Sequence, residues 1–483
     1  MADVLVIGAG PAGLAAATAA RARGANVTLL DASDELGGQY WRHLPAARPA
    51  ARERLLHHGW EHFTRMRDAL VADAGCTLIT EAQVWAIEPA GDGPQPSAPT
   101  VHALIGPADA PEREPMVFRP DALVLATGAH DRTLPFPGWD LPGVFTAGAA
   151  QALAKGERVA VGERVVVAGA GPFLLPVAQS LSATGARVVG VYEANRMSRL
   201  AAGWLPKPWR LLGAARKGGE LAGYAAHHLR RGIPYRLGKA VIAAHGRDRV
   251  EAVTVATLDR DWRPVAGTER RIAVDAVCIS HGFTPRLELP IAAGCAITSD
   301  RFVVIGADQQ TSIANVYAAG EITGIGGVDA ASAEGTIAGH VAAGGATNDA
   351  AIARAVRDRA TFTDFATRIE AAHGIRPGWT AWLEDDTLVC RCEEVPYGRL
   401  RQTAEQTCAT GLRSLKLTTR ASLGICQGRI CGRTVEQLLG GSFSDASTGA
   451  STDRRPIAAP VRLAELAASA APAAPAPTEG NEN

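Results

Sequence analysis

Apolar residues open the chain as a run at positions 4–7, followed by glycines at 8, 10 and 13, an alanine-rich stretch and a second apolar run, NVTLL. Short apolar runs bounded by glycine turns predict buried strands, and the alanine-rich segment between them predicts a helix. Residues 4–30 therefore predict a βαβ unit. The same order recurs from Arg164 as RVVVAGAG, PFLLPVAQSLSATGA and RVVGVYEA. Two such units predict two doubly wound α/β domains. Between them, residues 48–74 are charged and helix-like, residues 90–115 are rich in proline and glycine, and DALVLATGA predicts a buried strand. VDAVCISHGF and NVYAAGE again predict strands running into glycine turns. The expected division is a discontinuous first domain (1–150 and 276–345), a second domain (151–275), a helical linker (346–386) broken by RPGW, a compact cysteine module (387–440) and an Ala/Pro-rich tail (441–483). A tail of that composition cannot bury enough apolar surface to fold alone.

The chain has 483 residues, which suits two to four domains. Its 49 basic and 49 acidic side chains cancel, so the charge balance points to small molecules or proteins as partners and not to nucleic acid. No apolar run reaches about 18 residues, so no transmembrane segment is expected. Met1 leads directly into the first strand with no signal-like segment, which points to a reducing, cytoplasmic setting for the eight cysteines.

Gly8, Gly10 and Gly13 have dinucleotide-binding spacing. Gly8 permits the tight turn, Gly10 lets backbone approach a pyrophosphate, and Gly13 permits close helix-to-strand packing. The helix starting near Pro11 directs free N–H groups at that pyrophosphate, and Asp31 at the next strand end is placed to bind an adenosine ribose. The second fingerprint starts with Gly169 and Gly171 but has Leu174 at its third position, a side chain that holds the helix away from the strand or forces it to shift. Glu193 at the next strand end favours a free ribose hydroxyl, while Arg196 and Arg199 lie close by. Three outcomes stay open for this site: weak or lost NAD(H) binding, an adenine nucleotide held as a structural ligand, and working NADH oxidation.

Cysteines carry the other signal. Cys390 and Cys392 are separated by one residue, Cys426 and Cys431 by four, and 33 residues lie between the pairs. Two short chelating loops supply the four thiolates that a 2Fe-2S cluster needs, and the glycines of GICQGRICG let backbone N–H groups approach cluster sulfurs. Zinc is the alternative, though a one-residue spacing fits it less well, and a disulfide pairing is the third. Cys408 lies alone between the pairs and reads as core. Cys76, Cys278 and Cys295 are also isolated, which argues against a dithiol redox mechanism.

GAGPAGLAAA with Asp31, GGQYW at 37–41, ATG at 126–128 and NVYAAGE at 315–321 together resemble the FAD-binding elements of two-dinucleotide-domain flavoprotein reductases of the pyridine-nucleotide-disulfide-reductase type. The resemblance places Gly38, Gln39, Thr127, Gly128 and Gly320 around FAD, Val84 near its adenine, and Glu321, where aspartate is commoner, on the ribityl chain. CRCEEV followed by LGICQGRICG resembles the bacterioferritin-associated-ferredoxin-like 2Fe-2S domain. With ATGAHDRTLPFPGWDLPGV between the motifs, nearly the whole chain from residue 4 to about 439 resembles alpha subunits of heteromeric dye-linked amino-acid and opine dehydrogenases and the matching hydrogen cyanide synthase subunit. RRPIAAPVRLAEL at 454–466 resembles their C-terminal docking segment.

The resemblance implies oxidation of a substrate C–N bond by a separate FAD-bearing beta subunit of the glycine/D-amino-acid-oxidase type, with FMN at the subunit junction and room for a small third subunit. The leading expectation is an electron-relaying FAD and 2Fe-2S subunit. A self-contained NADH-dependent reductase and a structural nucleotide-binding protein are the alternatives. His58 and His62 have the i, i+4 spacing of a metal pair but lack a third ligand, so they read as an ordinary helix face. No general base or nucleophile constellation stands out, which suits an electron carrier.

Overall fold

In the computed structural model, which describes residues 2–45, 47–48, 53–89, 98–407, 412–439 and 457–470, the first repeat folds as strand β1 (Asp3–Ile7), helix α1 (Pro11–Ala22) and strand β2 (Asn26–Leu30). A five-stranded parallel sheet runs Val316–Ala318, Ala122–Leu125, β1, β2, Cys76–Ile79. Both its faces are covered. Val4 and Val6 turn toward the helices, while Leu5 and Ile7 share a core with an antiparallel layer made of Ala82–Glu88, Thr100–Ile105 and Glu114–Phe118. Helix Gly327–Ala342 returns to pack on α1. Glycine permits that approach, because a Cβ at Gly335 or Gly339 would lie 2.0 Å from the carbonyl oxygen of Ala12 or Ala16.

The second repeat folds as β3 (Arg164–Gly169), α2 (Leu174–Ala183) and β4 (Arg187–Glu193). Its parallel sheet has the order Tyr235–Leu237, β4, β3, Ala276–Ser280, Val144–Thr146. This corrects the expected boundaries at 150 and 276. Strands Val144–Thr146 and Ala276–Ser280 belong to the second sheet, since Ala276–Ser280 pairs in parallel with the open edge of β3 and Val144–Thr146 pairs in turn with Ala276–Ser280. Helices α3 (Met197–Trp204) and α4 (Ala215–Arg231) fill a long excursion before Tyr235–Leu237.

The linker forms helix α5 (Ala353–His373), which lies so close along α3 that a Cβ on Gly203 would meet Ala372 backbone at 2.6 Å. The cysteine module follows as a short hairpin, Leu388–Cys390 with Val395–Pro396, and three helices, Tyr397–Thr407, Leu412–Thr419 and Gly432–Leu438. Val389, Val395, Leu400, Leu415 and Val435 form its small core together with Cys390 and Cys431. Cys408 and the first part of the tail lie outside the described residues. Beyond them, residues 457–470 dock on the antiparallel layer of the first domain. Arg113 forms a buried two-pronged pair with Glu465 at 2.8 Å, and the Ala458 amide donates to the Trp85 carbonyl.

Candidate functional site

At the first fingerprint, glycine is required at two positions by backbone and at a third by the space left for a ligand. A Cβ on Gly8 (φ +103°) would lie 2.3 Å from the Ala126 carbonyl oxygen, and one on Gly13 would lie 1.7 Å from that of Gly8. A Cβ on Gly10 would meet nothing nearer than the Gly38 Cα at 4.0 Å, so its space faces a cavity. Asp31 is oriented by the Ala9 amide at 2.6 Å and the Ser33 amide at 2.8 Å. The Gly320 amide donates to buried Glu334 and the Gly327 amide to Glu321, both at 2.8 Å. Burial pushes both carboxyls up to about 7 against the opposing pull of these amides, and the Glu334 charge raises Glu321 further.

Asp31, Gly320 and Glu321 line one cavity of about 1650 Å³, larger than the usual range of roughly 300–1,000 Å³ for a single small ligand. Gly8, Gly10, Asp31, Gly38, Gln39, Val84, Thr127, Gly128, Gly320 and Glu321 all border it, so the structure brings the first-site residues together. Gly13 stands behind the lining, where its task is packing. From other segments come residues without any spacing signal. Lys155 donates to the Tyr40 carbonyl at 3.1 Å, and burial, followed by the Arg158 charge, pushes it down to about 8. His58 shares a hydrogen bond of 2.9 Å with the Tyr224 hydroxyl. That pairing, between residues 166 positions apart, places the histidine in the cavity wall and away from any partnership with His62.

The second fingerprint is built differently. Gly171 borders the same cavity, but its φ is +108°, whereas Gly10 is extended at φ −74°. Helix α1 begins one residue after Gly10, and α2 begins three residues after Gly171. The shift accommodates Leu174, which is fully buried among Val165, Val167 and Leu181. Gly169 itself packs closely, because a Cβ there would lie 1.7 Å from the Ser280 carbonyl oxygen. Glu193 does not open into the cavity. Its carboxylate is 0 % exposed and accepts from the Gly171 amide (2.8 Å), the Asn195 amide and side chain (3.0 Å each) and His373 Nδ1 (3.2 Å). The expected ribose acid is consumed inside the protein, capped by the end of α5.

The four cysteines form two thiol pairs, Cys390 with Cys431 and Cys392 with Cys426. Cys390 is held below the ordinary thiol value first by the Cys431 thiol and then by backbone N–H groups of Ser422, Glu393 and Cys392. Among the described residues no three His, Cys, Asp or Glu side chains are grouped as a metal-ion site. Four soft donors on two short loops, one of them collecting backbone amides, nevertheless fit the chemistry of an iron–sulfur group. Cys390 and Cys431 are buried and Cys392 is exposed.

This centre abuts the cavity. His130 Nε2 meets the Arg429 carbonyl at 2.7 Å, the Thr434 hydroxyl donates to the Thr133 carbonyl at 2.8 Å, and Arg429 pairs with Glu288 at 2.6 Å. Arg429, Arg433 and Gln437 themselves border the cavity. The loop carrying Cys426 and Cys431 is thus fastened to the residues directly after the ATG motif.

Residues 2–335 match the family described as pyridine nucleotide-disulphide oxidoreductase. The chain is 32% identical over 441 residues to hydrogen cyanide synthase subunit HcnB of Pseudomonas protegens, covering 88% of this chain and 89% of that one. It is 32% identical over 485 residues to an opine oxidase subunit of Rhizobium meliloti, covering 96% and 87%. The crystal structure of L-proline dehydrogenase from P. horikoshii superposes with a TM-score of 0.65 over 96% of this chain and 79% of that one at 19% identity, which shows a common fold. With its flavin fingerprint, its paired parallel sheets and these relatives in agreement, the chain belongs to the pyridine nucleotide-disulphide oxidoreductase family as an FAD-dependent oxidoreductase.

Proposed function

We propose that this chain is the FAD- and 2Fe-2S-bearing subunit of a heteromeric dehydrogenase that oxidises an amino acid, imino acid or opine at a C–N bond. The observation that carries the reading is the hydrogen-bonded join between residues 130–133 and 429–434, which sets the cysteine loop against the flavin cavity. FAD held there would supply a carrier that can take electrons in pairs and pass them on singly, the conversion that a one-electron cluster would need. Gly10 and the first amides of α1 hold the pyrophosphate, Asp31 the ribose and Glu321 the ribityl chain, while Val84 faces the adenine and Gly38 and Gln39 the ring. Cys390, Cys392, Cys426 and Cys431 hold the cluster. The subunit names of the relatives support assembly with a partner, for which a beta subunit of the glycine/D-amino-acid-oxidase type, with FMN at the junction, is the fit.

The capped Glu193 and the late start of α2 weigh against a self-contained NADH reductase. The second domain serves as scaffold, closing the cavity with Gly171, Phe173 and the excursion that follows β4. The test is to purify the chain anaerobically with and without its genomic neighbour and to assay amino acids and opines with a dye. Turnover only in the joint preparation is expected. Flavin bleaching by NADH alone, at a rate of about 1 per second or faster, would put the reductase reading in its place.

A further inference from the structure

The excursion between β4 and Tyr235–Leu237 has a surface unlike the rest of the chain. Residues 196–236 hold nine lysines and arginines against one acid, Glu220, in a protein whose total charge is zero. Six large apolar side chains on the same segment face solvent: Met197, Leu205, Trp209, Leu212, Leu221 and Leu229, with Leu212 77% and Leu229 82% exposed. On α4 the buried positions include Ala214 just before it, Tyr224 and His228. Its outward positions Ala222, Ala225, Ala226 and Leu229 recur at three- and four-residue steps, so a helix face that solvent would normally make polar is apolar instead, while Leu221, also exposed, borders the cavity. Arg230 and Arg231 lie at its C-terminal end, and Lys207, Arg231 and Arg236 are exposed with no acidic partner among the described residues.

Several inward contacts hold this segment as a platform. Arg210 pairs with Asp364, Arg216 and Lys217 pair with Asp329, and Tyr224 bonds to His58. The platform also roofs the cavity, through Trp204, Leu211, Lys217 and Tyr224. No helix among the described residues is long and apolar enough to cross a membrane, so an apolar face here would lie along a surface and not span it.

We propose that residues 196–236 form a monotopic docking surface for an anionic phospholipid bilayer. A tryptophan and leucines on the outward face, flanked by arginine and lysine and almost free of acid, are what a helix lying in the headgroup region requires. Anionic headgroups complement the six basic side chains of the segment that Asp364 and Asp329 do not pair inward, and each basic side chain near such a surface adds to binding. The surface stands apart from the electron-transfer reading, because vesicle binding is measured without turnover.

The full chain should float with vesicles of equal parts phosphatidylglycerol and phosphatidylcholine, not with phosphatidylcholine alone, and added salt should release it. Arg230→Ala and Arg231→Ala should each weaken partitioning about fivefold. Leu212→Asp with Leu229→Asp should abolish it while flavin content stays at the wild-type level, since both side chains project from the surface and neither lines the cavity. Failure of the wild-type chain to bind the mixed vesicles, or equal binding by the double aspartate variant, overturns the proposal. So does a partner subunit that assembles with wild type but not with the double variant while vesicles bind neither, an outcome that would give the face to a protein.

Discussion

Gly10 differs from its fellow fingerprint glycines in what a side chain would strike. Gly8→Val and Gly13→Val would drive a Cβ into backbone carbonyls and damage the fold, whereas Gly10 has open space toward the cavity. Gly10→Val should therefore purify folded, with flavin content reduced about tenfold or more, corresponding to roughly 1.4 kcal/mol of lost binding. Absorbance at flavin wavelengths per mole of chain is the measurement, and full occupancy would move the site elsewhere. Glu321 is a residue-scale matter of a different kind. Its carboxyl is raised to about 7, so the flavin-free fold binds more protons than the unfolded chain between about pH 4.3 and 7 and loses stability as pH rises through that window. Glu321→Gln mimics the protonated acid. Melting of the apo protein should rise by about 1–3 °C at pH 8 and stay unchanged at pH 4. Equal shifts at both pH values would show that the effect is not one of charge.

Among the elements, the C-terminal segment 457–470 and α5 both prove to be more than connections. Glu465 is pulled down to about 2, first by its hydrogen bonds from Arg113. A depressed carboxyl contributes stability above its unfolded value, near 4.3, and the contribution disappears as pH falls toward 2. At neutral pH, Arg113→Ala would leave that buried carboxylate to Arg462 alone, and opening of the segment should increase about tenfold or more. Limited proteolysis between residues 440 and 470 reads this directly, and an unchanged cleavage rate would show the pair to be incidental. The end of α5 sets the second nucleotide site through His373 and Glu193. His373→Ala should expose Glu193 to the cavity and raise NADH affinity only modestly, about threefold, because Leu174 still displaces α2. A large gain, with rapid flavin reduction, would mean that the cap and not the helix start is what closes the site.

At the scale of the whole molecule, the first fingerprint and the four cysteines sit in different domains, joined by the hydrogen bonds and the Arg429–Glu288 ion pair beside the cavity, so they should fail separately. Cys426→Ser removes a soft thiolate and should lose iron and acid-labile sulfide while FAD stays near its wild-type content. Cys408→Ser, outside the described residues, serves as the control and should keep the cluster. Electron paramagnetic resonance on dithionite-reduced protein, with iron and sulfide analysis, decides the matter. One zinc per chain without sulfide would replace the relay by a structural staple. Loss of FAD together with the cluster would show that the join at 130–133 and 429–434 supports both cofactors at once.

The repeats at 4–30 and 164–193, with Gly8, Gly10, Gly13 and Asp31, were legible in the sequence because each depends on neighbours close along the chain, whereas Gly38, Gln39, Val84, Thr127, Gly128, Gly320 and Glu321 were placed only by a family resemblance. A glycine turn, a helix start and a strand-end acid lie within about thirty residues of one another, and their spacing alone defines the shape. Sheet membership was less accessible. Strands Val144–Thr146 and Ala276–Ser280 read as parts of the first domain, yet edge pairing across more than a hundred residues assigned them to the second. The fate of Glu193 was hidden for the same reason. Its position at a strand end is a local fact, but whether its carboxylate meets a ribose or His373 depends on where α5 comes to rest 180 residues later. Lys155 and Tyr224 carry no motif at all, and Arg429 and Arg433 lie in and beside GICQGRICG without any signal that they would reach the cavity. Only packing, which brings distant segments around one cavity, could make them neighbours of the flavin elements.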